Sequence, residues 1–216
     1  MRPLGARRRW TGSAGLREAD DVALARRMAG IWGPAVFCGA ALLAARHQPG
    51  YSHRRHHVSG LAARGERSAS EMVPGFVALG AASFVMPTPT PMLAQLARVA
   101  GTTTIAAGLI PVSEPRCPQP GRDPAATASD VGHAIASVAT FMVWTAMPNL
   151  AGRHGGPDWY RFVSRVLGLA AIAGFMTAGV TSQMDSSHKG FVQRAFLGVV
   201  FVWYAVTAVT TSTKSR

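Results

Sequence analysis

Charge is almost absent from six stretches of this 216-residue chain, and that segregation restricts the fold more than any motif does. The runs lie at about residues 30–45, 72–86, 92–112, 130–150, 162–181 and 191–210, and none holds more than one charged side chain. Most are about 16–21 residues long. An α-helix needs roughly 20 residues to cross a hydrocarbon core of about 30 Å. An apolar content of 48% would suit a globular protein, but only 15% of the residues are charged, against roughly a quarter in a soluble domain. The pattern predicts an all-α, polytopic transmembrane bundle of six spans over residues 29–211, preceded by a basic cytoplasmic tail (1–28), its first 15 residues disordered, and followed by a short tail (212–216).

The runs are punctuated as a membrane chain requires. Pro87, Pro89 and Pro91, alternating with threonines, cannot continue a helix and mark a tight turn between the second and third spans. The third run is the least apolar, with Gln95, Arg98 and Thr102–Thr104 inside it. Were it only to dip into the bilayer, the C-terminal tail would change sides. Within the N-terminal tail, Leu16–Met28 reads as a short interfacial helix, acidic at its start and basic at its end, as the helix dipole favours. Trp32, Trp159, Tyr160 and Tyr204 fall near span ends, where aromatic rings commonly sit at the headgroup level.

A net charge of +12 raises nucleic acid as a partner. Seven of the 22 basic residues lie within the first 27 positions, next to an apolar run, and no nucleic-acid module accompanies them. Such a cluster suits a cytoplasmic membrane surface, so membrane lipids are the expected partners and nucleic acid is not. With six spans, the side bearing both termini holds 13 basic residues and the opposite side 9. The bias places both termini in the cytoplasm. Arginine far outnumbers lysine in an Ala- and Gly-rich chain, which suggests a bacterial inner membrane protein. Cys38 lies in the first span and Cys117 in a Pro-rich loop, so no disulfide is expected between them.

In this topology six of the seven histidines gather on the outer face. The long polar loop 46–71 carries His47, His53, His56 and His57, His133 opens the fourth span, and His188 follows Asp185 in the third outer loop. Loops are where polar residues go, so the HRRHH run at 53–57, which lacks metal-ligand spacing, reads equally as solvated surface. His133 is at the rim of an apolar run, where a polar side chain turns inward and finds a partner. Arg194 near the start of the sixth span either snorkels to the interface, grips a headgroup, or pairs with Asp185 or Asp130. No metal site is indicated, and no motif identifies a cofactor. Walker, nucleophile-elbow and HExxH patterns are absent.

The loop also carries a resemblance. Tyr51, Ser59, Leu61 and Gly65, with Pro111 closing the third run, His133 opening the fourth, and Gly190-Phe191-Val192-Gln193-Arg194 with Trp203 in the last, resemble the bacterial domain-of-unknown-function family 998. The resemblance covers about residues 30–210 and implies a six-span bundle with no established activity. Gly60 departs from the acidic or polar residue common there, which argues against a catalytic carboxylate in the first loop.

Three functions remain open. The first is a non-enzymatic, accessory membrane protein that binds a lipid headgroup or a protein partner at its outer face, through Tyr51, Ser59, His133 and Arg194. The second is a metal-assisted or acid–base hydrolase acting on lipid through His57, His133, Asp185 and His188. The third is a small transporter, for which neither a midplane charge nor an internal repeat is evident.

Overall fold

The computed structural model describes residues 13–112, 127–184 and 186–212. The N-terminal residues 1–12, most of the loop 113–129, Cys117, Asp185 and residues 213–216 lie outside the described residues. Six α-helices follow in order: α1 Ser13–Arg46, α2 Ala69–Val85, α3 Pro91–Leu109, α4 Ala128–His154, α5 Asp158–Gln183 and α6 Lys189–Ser212. A short 3₁₀ helix, Val58–Ala62, lies between α1 and α2, and no strand occurs among the described residues.

Local chemistry sets the helix ends. Thr90 caps α3 by accepting from Leu93 N–H, with Pro91 at the first helical position, where its missing N–H costs nothing. At α4, Thr127 and Asp130 form a capping box, each side chain bonding the other's backbone N–H. Pro111 stops α3 just beyond its last residue. The segment 16–28 is not a separate interfacial helix. It is the first part of α1, because its Ala, Leu, Arg and Met residues favour helix and nothing between it and the apolar run breaks the ladder.

Four helices are long and apolar enough to cross a membrane: α1 from Leu24, α4, α5 and α6. Helix α2 is apolar but has only 17 residues, and α3 is diluted by the polar residues already noted. The outer surface of the bundle suits lipid. Ile135, Phe162, Leu169 and Met176 are each more than 60% exposed, an arrangement that water would penalise and hydrocarbon does not. The chain is therefore a membrane-embedded helical protein.

Each helix packs on the next, and α6 returns to α1, so the six form a closed ring. Small residues allow the backbones to meet. Gly80 lies against the Gly101 carbonyl between α2 and α3, Gly152 against Arg165 between α4 and α5, and Gly30 against the Tyr204 carbonyl between α1 and α6. Hydroxyls and indoles fasten the interior. Trp144 Nε1 donates to Tyr204 Oη at 2.8 Å, Tyr204 Oη and Ser83 Oγ are 3.0 Å apart, and Trp203 Nε1 donates to Ser164 Oγ at 3.1 Å. Tyr160 Oη meets Thr207 Oγ1 at 3.0 Å. Tyr160 and Tyr204 are fully buried, so their rings face the bundle interior and not the lipid. A phenol that finds hydroxyl partners on neighbouring helices is satisfied inside the bundle and has no need of the headgroup layer.

The first loop departs most from expectation. Residues 58–63 are buried, and the 3₁₀ helix plugs the loop end of the ring. The apolar island Val58-Ser59-Gly60-Leu61-Ala62-Ala63 inside a basic loop is the signal for it.

Candidate functional site

The loop end of the ring is built around one guanidinium. After α1 ends at Arg46, Gly50 adopts a left-handed φ of 74° and Tyr51 N–H donates to Gln48 O, which turns the chain back over the bundle. A second turn follows, with Arg55 and His56 N–H both donating to Ser52 O. Arg194, on the first turns of α6, reaches up into this coil. Its Nη1 donates to His53 O at 2.6 Å, His56 O at 3.0 Å and Gly190 O at 2.9 Å. Its Nη2 donates to Tyr51 Oη, which donates onward to His57 O at 3.3 Å. The guanidinium also lies 5.7 Å from the centre of the Tyr51 ring, within cation–π range.

The attachment is reciprocal. Phe191 N–H, an amide that the start of α6 cannot satisfy internally, donates to Arg54 O at 3.0 Å. Gln193, buried, accepts from Val58 N–H at 2.8 Å. At Gly190 a Cβ would overlap the His53 and His56 carbonyls, so only glycine lets the loop come this close. Arg54 itself bonds His188 Nε2.

Tyr51 and Arg194 are thus brought together, but by the fold: Nη1 and Nη2 bond backbone carbonyls and the Tyr51 hydroxyl, and Arg194 makes no ion pair with Asp130. Asp130 serves the α4 cap, and Asp185 lies outside the described residues. Ser59 is buried in the 3₁₀ helix and lines a cavity of about 20 Å³, together with Thr104, Ser137, Thr140 and Gln193. His133 is buried at the start of α4. Its Nδ1 lies 3.0 Å from Ile110 O, a group that only accepts, so Nδ1 carries the proton, and Nε2 faces Ser137 Oγ at 3.2 Å. It fastens the end of α3, as do Ser129 Oγ to Pro111 O and Arg64 N–H to Val112 O. His57 Nε2 faces Ser182 Oγ at 3.1 Å. The candidate histidines therefore bond to separate partners. Among the described residues no group of three His, Cys, Asp or Glu side chains could hold a metal ion.

What remains on the surface is cationic. Arg54, Arg55 and His53 are exposed and Lys189 and His56 half-buried, and among the described residues no carboxylate pairs with Arg54, Arg55, His53 or His56. The charge shows in the histidines. Burial, then the Arg194 charge, holds His53 below the ordinary imidazole range. Burial, with Lys189, Arg55 and Arg194, does the same to His56, whose Nδ1 accepts from Ser52 N–H at 2.9 Å and so requires the neutral ring. Unfolded, both would titrate near 6.5. Between that value and the lowered folded ones the unfolded chain binds more protons. This contribution to stability is full above about pH 6.5 and is lost as pH falls through the folded values. The thermal midpoint is expected to drop between pH 7.5 and 5.5, and to drop less in His56→Gln; equal drops in both would remove His56 from the effect.

Gln193 and Gly190 belong to the segment that carries the family resemblance, but their part in holding the loop is not legible from the sequence. A lone amide in an apolar run and a glycine before it were the available signals. A family model described as "Protein of unknown function (DUF998)" matches residues 31–210. No curated protein matches the chain, and no solved structure does.

Proposed function

Because the chain belongs to the DUF998 family of proteins of unknown function, we propose its role from geometry: it is a six-span accessory protein that binds an anionic lipid headgroup at its extracytoplasmic face. The observation that carries this reading is the cationic cluster of Arg54, Arg55 and the half-buried Arg194, unmatched by a carboxylate among the described residues. A phosphate placed there meets the guanidinium donors of Arg54 and Arg55 and the positive charge of Arg194, where the low dielectric of the interface strengthens them.

Six spans and cytoplasmic termini belong to the same proposal. Helices α2 and α3 fill the ring between α1 and α4, and at 1.5 Å per residue their 17 and 19 residues reach roughly 26 and 28 Å. A bilayer that thins slightly around them, or flanking residues that snorkel, accommodates the difference. The hydroxyls of Thr102, Thr103 and Thr104 all bond backbone carbonyls one turn back, so they expose no free donor to lipid. The basic N-terminal tail then marks the cytoplasmic side of a bacterial inner membrane.

The test is native mass spectrometry of the full chain released from nanodiscs containing phosphatidylglycerol and phosphatidylcholine in equal amounts. Phosphatidylglycerol is expected to be retained preferentially. Each surface cation contributes on the order of 1 kcal/mol to attracting an anionic membrane, so Arg54→Ala with Arg55→Ala should lower that preference roughly thirtyfold. Equal retention of both lipids by the unaltered protein would falsify the proposal.

A further inference from the structure

We propose that the lipid whose headgroup meets this cluster lays one acyl chain into a lateral groove between α1 and α6, entered from the outer leaflet. The inference rests on the headgroup reading and goes beyond it by naming the ligand as a membrane-resident anionic glycerophospholipid, taken sideways from the bilayer.

The groove follows from how the ring closes. At the end of the bundle away from the loop, α1 and α6 touch through backbone, with Gly30 against the Tyr204 carbonyl and Ala208. Further along they part. The Phe37 and Phe201 rings, 5.8 Å apart and nearly perpendicular, span the gap and form a floor. Beyond them lies a groove of about 440 Å³, walled by Cys38, Ala41 and Leu42 on one helix and by Leu197 and Gly198 on the other. Gly198 leaves its wall bare, since a Cβ there would meet nothing within 4 Å.

Charge complementarity selects the occupant. The walls are apolar, but the loop end of the same groove is lined by His53 and Arg194. From Arg194 to Phe201 is seven residues, about 10 Å of helix rise, which fits within the roughly 15 Å of one hydrocarbon leaflet. A molecule with a phosphate at one end and a hydrocarbon chain at the other matches both parts at the correct depth. A water-soluble phosphate would leave the apolar length unfilled, and a second helix would bring no anion to the rim. Because lipid tails are as apolar as the groove walls, the seat adds packing and orientation, and the headgroup contacts supply selectivity.

The experiment uses the full chain in bilayers containing phosphatidylglycerol with a diazirine midway along one acyl chain. Photolysis followed by peptide mapping locates the adducts. Adducts are expected to concentrate on the exposed Cys38 and Leu42 relative to Ile135 and Leu169, which are each more exposed than Leu42. Gly198→Phe, which points its ring into open space, should lower the groove adducts severalfold and leave the phosphatidylglycerol preference in place. Adducts spread evenly around the bundle, or unchanged in Gly198→Phe, overturn the groove while the headgroup reading stands. Loss of the phosphatidylglycerol preference in the unaltered protein removes both.

Discussion

Arg194→Ala is expected to release residues 51–57 from the bundle. Hydrogen exchange at the Arg55, His56, Val58 and Phe191 amides should accelerate by orders of magnitude, and the protein should lose about 2 kcal/mol or more of stability, since hydrogen bonds from charged donors contribute about 1.5–3 kcal/mol each. The size of the effect comes from convergence. One side chain serves three carbonyls and the Tyr51 hydroxyl, so its removal detaches the loop at several points together. Arg194→Lys should restore only part of the protection, because an ammonium is a point donor that cannot span the same carbonyls and stack on Tyr51. Unchanged exchange over 51–58 in Arg194→Ala would mean the loop is held by its remaining bonds, those of Phe191 N–H and Gln193, and that Arg194 does not organise the site.

The second large effect is expected at the ring closure. In Gly30→Leu the new side chain collides with the Tyr204 carbonyl, backbone against which no rotamer offers relief, and with the Ala208 methyl. Overpacking of this kind costs about 1–3 kcal/mol and more when backbone must move. The variant should lose most of its folded yield in mild detergent, by size-exclusion profile and thermal midpoint. Gly179→Leu, whose Cβ meets nothing within 4 Å, should fold as well as the parent or slightly better, because glycine inside a helix costs about 0.5–1 kcal/mol relative to alanine. If both variants behave alike, the α1–α6 contact is looser than its geometry states.

Much of the architecture was legible from charge placement alone. Each of the six apolar runs lies on one helix; four helices extend past their runs, as Ala128–His154 does around 130–150, whereas α2 and α3 stop short of the ends of theirs, at Val85 and Leu109. Hydropathy marks where lipid is, while caps such as Thr127 with Asp130 mark where the helix begins, and the two differ by a turn. Helix α1 shows the larger version of the same gap. Hydropathy sees only its membrane part, although its helical propensity runs back to Ser13.

The site was less legible, for a physical reason. Arg194, Tyr51, Ser59 and His133 could be singled out as polar residues beside apolar runs, but their partners could not. A guanidinium about one turn into a span has the same sequence context whether it grips a headgroup or a row of carbonyls. Only the return of residues 51–57 over α6, with Gly190 permitting the close approach, decides between them. The buried island at 58–63 was hidden by its neighbours, because the arginines and histidines on either side dominate any averaged hydropathy.

The closure of the ring by its first and last helices also constrains how the protein is made. Val58 and its partner Gln193 are 135 residues apart, and a ribosome adds about 5–20 residues per second, so roughly 7–27 s pass between the synthesis of the two. During that interval the 3₁₀ plug and the loop above it have no last helix to grip, and α1 stands in the bilayer with one flank uncovered. The site at the loop end of the ring is therefore the last part of the molecule to form. A chain interrupted before α6 inserts carries the histidines and arginines of the first loop but not the scaffold that arranges them, and is open to quality-control proteases at that loop.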